Sequence, residues 1–439
     1  MTTFLSAVFW LCTYLALVLA PVFVLLIGPV PSGSGFWWDF SMALGFTGMA
    51  MMGVQFLLTA RFQHASAPFG IDVIYFFHRY LALIAISLIF VHYLIIRINY
   101  TEALATINPL QAPWYMTAGR TSLVLLTILI ITSLWRKRLR IHYEEWRMLH
   151  IALAVMAFLL ALNHIDGVSY YIDAPAKRWL WTGYILFWLV LIVYVRLIKP
   201  WKMRSKPYRV VEVRLECCNS WTLALEPEGH DGISFKPGQF AWLTLRASPY
   251  HIKEHPFSFS SSAAIQDRVE FTIKELGDFT STIKQTKVGE IAYLDGPYGV
   301  FSIDRYPNAS AFAFVAGGIG IAPIISMLRT LADRNEQRSL LLIYSNNRWD
   351  DVIFNKELEA LKQRLDLRIV HVLKDPPTSW TGESGFITPA LLKKVLSNDA
   401  RMYEYFLCGP KPMSDVVQQG LFEIHVPMSQ VHFELFDLV

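Results

Sequence analysis

The sequence predicts a membrane all-α six-helix bundle, followed by an antiparallel β-barrel and an α/β doubly wound domain. Three observations point there. Of the 439 residues, 54% are hydrophobic and only 17% charged, against roughly 45–50% and 25% in an average soluble domain. The charge is uneven: residues 1–200 hold 13 Lys and Arg with 7 Asp and Glu, whereas residues 201–439 hold 26 and 28. Past the boundary at Lys199-Pro200-Trp201, long apolar stretches give way to short alternating runs and then to strands interleaved with helices. Length implies two or three domains. The apolar excess excludes a disordered or nucleic-acid-binding chain, and a net charge of +4 is too small to argue for a polyanionic partner.

Six apolar segments, near 4–28, 37–59, 73–96, 120–135, 146–165 and 178–198, approach or exceed the roughly 20 residues a bilayer-spanning helix needs; the fourth is the shortest. The first does not read as a cleaved signal peptide, because Met1-Thr2-Thr3 carries no basic residue and the run is too long for an h-region. Arg61, then Arg136, Lys137, Arg138, Arg140 and Arg147, then Lys199, Lys202, Arg204 and Lys206 fall on one side. Mainly Arg97, Arg120, Lys177 and Arg178 fall on the other. The positive-inside rule then puts both termini and the soluble half in the cytoplasm. Arg147 lies one turn before His150 and could meet an anionic group bound there. The four cysteines (Cys12, Cys217, Cys218, Cys408) show no metal-site spacing, and neighbours such as Cys217 and Cys218 do not suit a mutual disulfide.

Histidines carry the sharpest signal. His78 and His92 lie in the third segment, and His150 and His164 in the fifth, each pair 14 residues apart. Fourteen residues fall about 40° short of four helical turns and rise about 21 Å, so each pair shares one helix face at two depths. With the fourth segment returning the chain, the third and fifth run the same way, and His78 matches His150 in depth as His92 matches His164. Facing imidazoles at two depths are what two bis-histidine haems b require. Polar contacts between helices are the alternative for any single intramembrane His. Ligands about 20 Å apart cannot share one zinc or copper ion.

In the soluble half, YRVVEVRLE, WTLALEP, QFAWLTLR, PFSFSS and RVEFTIKE read as short strands, separated by turns such as Lys236-Pro237-Gly238. Such spacing suggests an antiparallel barrel. A helix is expected from Gly277-Asp278-Phe279-Thr280. From 311 to 420, the strands AFAFVA, LLLIYS, LRIVHV and YEYFLC alternate with helices, the pattern of a doubly wound sheet. Gly317-Gly318-Ile319-Gly320-Ile321-Ala322-Pro323 ends the first of these strands and opens a helix. Glycines there let backbone approach a pyrophosphate, though a tight turn alone would also need them. Cys408-Gly409-Pro410 closes another strand on the same carboxyl edge, where such folds bind ligands.

In order, His255-Pro256-Phe257-Ser258, Gly277-Asp278-Phe279-Thr280, Gly296-Pro297-Tyr298-Gly299, Gly317-Gly318-Ile319-Gly320, Cys408-Gly409-Pro410 and Glu434-Leu435-Phe436 resemble the motifs of the ferredoxin-NADP reductase superfamily. Behind a six-helix, four-histidine membrane domain, the chain resembles the NADPH oxidase and ferric reductase family, above all its compact bacterial members. The resemblance covers almost the whole chain. It implies a di-haem membrane domain over 1–200, an FAD-binding β-barrel over 201–305 and an NAD(P)H-binding α/β domain over 306–439.

Residue by residue, the resemblance implies that His255, Pro256, Phe257 and Ser258 line FAD, with Ser258 near the reactive edge and His255 near the ribityl-phosphate. Gly277 and Thr280 would hold the FAD pyrophosphate at a helix N-terminus, and Phe436 would stack on the flavin. Gly317, Gly318, Gly320 and Pro323, with Cys408, Gly409 and Pro410, would bind the nicotinamide dinucleotide. Ser345 and Arg348 follow the second strand of the sheet, where a Ser and an Arg suit a 2′-phosphate and so NADPH, with NADH possible. His78 and His150 would ligate the inner haem iron, and His92 and His164 the outer. The implied acceptor is O2 giving superoxide, with a ferric chelate or a haem relay to a partner as alternatives. Arg97 or Arg120 could attract an anion on the outer side, and no obligatory protein partner is inferred. Lacking an EF-hand spacing, the chain is not expected to answer to calcium. The expected location is an integral membrane protein of a bacterial inner membrane, with its flavin and nucleotide domains cytoplasmic.

Overall fold

The computed structural model describes residues 2–26, 35–62, 70–251 and 253–434. It divides into two compact units, Met1–Pro200 and Trp201–Val439. Phe436 lies outside the described residues.

Among the described residues, six helices of the first unit are long and apolar enough to cross a membrane. These are α1 (Thr2–Leu26), α2 (Phe36–Thr59), α3 (Ile71–Asn99), α4 (Trp114–Leu134), α5 (Tyr143–Val168) and α6 (Pro175–Val193). A π-helical turn (Tyr194–Ile198) joins α6 to α7 (Lys199–Arg204). Pro200 has no N–H to give the regular ladder, which accounts for the wider turn just before it. The fourth helix starts at Trp114 rather than at 120, because Pro113 in extended backbone sets its beginning and the less apolar Trp114–Arg120 turns extend it. Side chains such as Phe9, Leu15, Phe23, Phe90 and Val190 stand exposed, the arrangement expected where lipid covers the outer faces. Inside, α2 packs along α3 and α4 along α5. Trp188 of α6 is fully buried against Gly53 of α2, where a Cβ would lie 2.6 Å from the indole.

The second unit opens with a six-stranded antiparallel sheet of β1 (Tyr208–Cys217), β2 (Ser220–Pro227), β3 (Phe240–Leu245), β4 (Glu254–Ser258), β5 (Val269–Lys274) and β6 (Ile291–Tyr298), in the order β4-β3-β6-β1-β2-β5. The barrel expectation is met as far as this antiparallel sheet: among the described residues its edge strands β4 and β5 share no ladder, and just past β4 a single bridge joins Phe259 to Phe271 of β5. Val210, Leu223, Leu243, Phe259 and Phe271 form its apolar core. Strand β6 went unassigned in the sequence, since Gly296-Pro297 reads as a turn. The expected helix at 280 is a 3-10 segment, Thr280–Gln285, which has too few residues to propagate an α-helix.

Six parallel strands follow, β7 (Ala311–Gly317), β8 (Leu340–Asn346), β9 (Leu367–Leu373), β10 (Glu383–Ser384), β11 (Tyr403–Cys408) and β12 (Val431–Glu434), in the order β10-β9-β8-β7-β11-β12. The helices α8 (Ile321–Asp333), α9 (Asn355–Leu361), α10 (Pro389–Leu396) and α11 (Lys411–Glu423) connect them. Strand order reverses between β7 and β11, which makes their carboxyl ends the switch point where open α/β sheets bind ligands. Core lies on both faces, around Phe314, Ile324, Leu328 and Tyr344 on one and around Val315, Leu392, Leu407 and Val417 on the other.

Candidate functional site

The membrane unit brings the four histidines together in two pairs. The rings of His78 on α3 and His150 on α5 have centroids 6.2 Å apart, with planes inclined by 59°. Two imidazoles gripping one metal from opposite sides, each nitrogen about 2 Å from it, place their ring centres roughly 6 Å apart, so the pair fits a single iron between them. His92 and His164 line one cavity of about 1220 Å³, counting its open mouth, whose walls include Met42, Gly45, Met116 and Gly119. Its lining is predominantly apolar, with the two imidazoles among the few polar groups, the composition of a small-molecule or cofactor site.

What stands behind the rings decides which nitrogen faces inward. His92 Nδ1 lies 2.8 Å from the Ser41 carbonyl oxygen and His164 Nδ1 lies 3.0 Å from that of Tyr115. A carbonyl only accepts, so Nδ1 carries the proton in both rings and Nε2 keeps its lone pair for a metal. His150 Nδ1 is 3.1 Å from Ser133 Oγ. That hydroxyl donates to Leu129 O at 2.6 Å, which leaves its oxygen to accept from the ring.

Glycines make this possible. In a helix the carbonyl of one residue lies beside the side chain four positions on. Gly45 follows Ser41 by four and Gly119 follows Tyr115 by four, so neither carbonyl is shielded by a Cβ. One added at 45 would lie 3.2 Å from His92 Nδ1, and one at 119 only 2.7 Å from His164 Nδ1. The four residues Ser41, Gly45, Tyr115 and Gly119 were missed in the sequence. The signal was there as Ser-Met-Ala-Leu-Gly and Tyr-Met-Thr-Ala-Gly, two apolar helix segments with a Met second and a Gly fifth.

Over the same cavity, Arg120 donates to the carbonyls of Leu104, Thr106 and Ala105. It pins the Thr101–Leu104 turn, whose Ala103 and Leu104 also line the cavity. Arg97 stands exposed at the end of α3.

In the antiparallel sheet, two of the sequence motifs meet. The His255 ring on β4 stacks on Phe279 at 3.8 Å and 17°, and Phe257 lies over the same ring at 6.0 Å and 22°. Phe259 is wholly buried core, Phe257 packs partly against it, and Ser258 is buried. Thr280 Oγ1 accepts from the N–H groups of Leu276 and Gly277, both at 2.9 Å, and donates to Gly277 O. Its hydroxyl thus closes this loop on itself instead of capping a long helix.

At the switch point, Gly317, Gly320 and Gly409 are required by close approach of β7 and β11. A Cβ at 320 would lie 2.1 Å from Cys408 O, and one at 409 would lie 3.0 Å from Gly317 N. Gly317 abuts Pro410 and Met413 in the same way. Gly318 differs: its φ is +53° and a Cβ there would meet nothing within 4 Å, so it is the glycine that leaves open space beside backbone. The buried Tyr344 hydroxyl donates to Gly318 O at 3.1 Å and so supports this loop; the sequence did not reveal it. Pro323 is buried in the first turn of α8. Cys408 is fully buried, and burial pushes its thiol well above the ordinary range. Ser345 is half-buried at the end of β8 and Arg348 is exposed beyond it, 3.8 Å from Asp351.

Residues 44–161 match the family described as ferric reductase like transmembrane component. Residues 206–302 match an FAD-binding domain and residues 314–419 an oxidoreductase NAD-binding domain. Among curated proteins, NADH-cytochrome b5 reductase 1 of Laccaria bicolor is 32% identical over 179 residues, 39% of this chain and 58% of the relative. The glycine betaine monooxygenase reductase subunit of Chromohalobacter salexigens is 32% identical over 209 residues, 46% of this chain and 56% of the relative. The chain spans less than two-thirds of the length of these relatives. Among solved structures, the ferredoxin reductase in carbazole 1,9a-dioxygenase is 25% identical with a TM-score of 0.47, covering 53% of this chain and 69% of that one.

Proposed function

We propose that this fusion of a ferric reductase-like transmembrane domain with FAD-binding and NAD-binding reductase domains carries electrons from cytoplasmic NADPH across a membrane to an acceptor on the outer side. The observation that carries the reading is the pair of imidazoles, His78 and His150, whose ring centres stand 6.2 Å apart, with a second pair about 21 Å further along the same two helices.

NADPH would bind at the carboxyl edge of the parallel sheet. There Gly318 leaves room for phosphates, Gly317, Gly320, Pro323, Gly409 and Pro410 shape the close β7–β11 contact, and Ser345 with Arg348 would meet the 2′-phosphate. Cys408, buried beneath that edge, would back the nicotinamide site. His255, Pro256, Phe257 and Ser258 would line the flavin, with Gly277 and Thr280 at its pyrophosphate. When bound, FAD supplies the conversion of a two-electron hydride into single electrons, and haem iron passes them one at a time. His78 and His150 would hold the inner haem, His92 and His164 the outer. If His92 and His164 both hold the haem, the acceptor would be reached at the edge of the outer site, beside the cavity that Arg120 and the Thr101–Leu104 turn cover. The basic residues at 61, 136–140 and 199–206 support a cytoplasmic reductase, in a bacterial inner membrane.

O2 giving superoxide is the favoured acceptor. The family description at residues 44–161 favours a second reading, reduction of a ferric chelate over the same path. Purified protein supplied with NADPH and FAD is expected to reduce cytochrome c in a manner that superoxide dismutase abolishes. Turnover seen only with a ferric chelate under anaerobic conditions selects the second reading, and no steady NADPH consumption with either acceptor defeats both.

A further inference from the structure

Helices α2 and α3 run antiparallel: a Cβ at Gly45 would meet the His92 ring, and one further along α2, at Gly48, would meet Ile89, earlier on α3. Helices α4 and α5 pair in the same sense, Gly119 against His164 and then Ser122 Oγ on Ala157 O at 2.7 Å. The two histidines of each helix are 14 residues apart, about four helical turns. The same step forward on one helix and back on its neighbour therefore repeats a contact at the other depth. In the second pair the repeat is observed. The step carries Gly119 to Ser133 and His164 to His150, and Ser133 Oγ lies 3.1 Å from His150 Nδ1. In the first pair it carries Gly45 to Thr59 and His92 to His78.

The chemistry repeats with the spacing. At the depth of His92 and His164, a glycine leaves bare the carbonyl four residues before it, and the ring donates to that carbonyl. At the other depth a hydroxyl residue stands in the glycine's place. Ser133 covers its carbonyl by donating to Leu129 O at 2.6 Å and turns its own oxygen to the ring. Thr59 likewise donates to Gln55 O at 2.9 Å, which leaves its oxygen to accept. His78 Nδ1 is buried and has no hydrogen-bond partner among the described residues. A buried N–H without an acceptor is costly, and a ligand histidine is oriented by what its far nitrogen bonds. We propose that Thr59 is the positioning residue for His78: its oxygen accepts from Nδ1–H, as Ser133 does for His150, and so keeps Nε2 turned to the metal. The inference rests on the two-haem reading above. Gln55 is the competing acceptor, since both polar atoms of its amide are buried without a partner among the described residues. It occupies the step that Ser41 takes beside His92, however, and not the glycine step that Ser133 shares.

Carbon monoxide, added to the purified, haem-loaded full chain after reduction with dithionite, tests this. Wild type is expected to form no adduct, because two histidines hold each iron. Losing the acceptor behind a ligand histidine weakens its hold about 10–100-fold. Thr59→Val, with Thr59→Ala as a second variant, should therefore admit carbon monoxide at one haem of the two, or lose that haem. Thr59→Ser, which keeps the hydroxyl, should behave as wild type, and adding Thr59→Val to His78→Ala should change nothing further. Overturning results are wild-type behaviour in Thr59→Val and Thr59→Ala, equal adducts in Thr59→Ser and Thr59→Val, adducts at both haems, or the effect appearing in Gln55→Leu and not in Thr59→Val. A wild type that lacks a low-spin b-type spectrum, or itself takes up carbon monoxide, defeats the two-haem reading. Two haems indifferent to Thr59 defeat this inference alone.

Discussion

Gly119 and His164 occupy one space: a Cβ on the glycine would lie 2.7 Å from the ring nitrogen Nδ1 and 2.8 Å from Cγ. Real Cβ atoms do not approach that closely, so the ring must turn away and give up its bond to Tyr115 O. Gly119→Ala is expected to lose about half of the bound haem, with overpacking that costs about 1–3 kcal/mol. Gly45→Ala, with 3.2 Å to His92 Nδ1, should be milder. Haem content per chain of the two variants checks the order.

Gly320→Ala should separate nucleotide binding from the membrane path. Its Cβ would lie 2.1 Å from Cys408 O, forcing β7 and β11 apart where the dinucleotide is proposed to lie. The expected outcome is a KM for NADPH raised at least about tenfold, equivalent to 1.4 kcal/mol. Chemical reduction of the haems by dithionite should be unchanged. Equal loss of both would point to general unfolding.

Arg329 on α8 is the cationic centre that ties the two halves of the reductase. It donates to Ser260 O at 2.7 Å and Glu270 Oε2 at 2.9 Å in the antiparallel part, and to both Glu357 carboxylate oxygens at 2.6 and 2.8 Å in the parallel part. Its side chain is 15% exposed, so truncation leaves Glu357 without this counter-charge, while Glu270 keeps Arg268 at 3.0 Å and Arg214 at 3.8 Å, a loss of about 2–3 kcal/mol. Arg329→Ala should lower the thermal midpoint of the reductase and slow flavin reduction by NADPH. Arg329→Lys should restore only part, because Lys cannot make the paired bonds to Glu357.

His371 on β9 packs its ring edge-on against Trp349 at 5.1 Å. Burial holds it below the ordinary imidazole value, the Glu359 carboxylate opposing and Lys362 reinforcing that shift. Because the folded state resists the proton more than the unfolded chain does, the stability it gives is complete above a pH of about 6.5 and falls as the pH drops below that. Thermal midpoints measured from pH 7.5 to 5.5 should decline more steeply in the wild type than in His371→Phe; parallel curves would contradict this.

The membrane architecture was legible because long apolar runs and a 14-residue histidine spacing are properties of single helices. The residues behind the rings were not. Ser41, Gly45 and Gly119 acquire meaning only once the facing histidine is known, since the shared Met-second, Gly-fifth spacing of the two helix segments does not by itself say what the glycines face. The parallel sheet was readable from its alternation of strands and helices. Strand β6 was hidden by Gly296-Pro297, and the expected helix at 280 failed because Thr280 bonds back to Leu276 and Gly277 and no long apolar face follows to propagate it.

Counting haem in purified protein, alongside the reduced-minus-oxidised spectrum, reaches the central claim most directly. Wild type should hold two low-spin b-type haems per chain, and His78→Ala or His164→Ala only one. A wild type with fewer than two, or single substitutions that leave the count unchanged, would contradict the paired-histidine path.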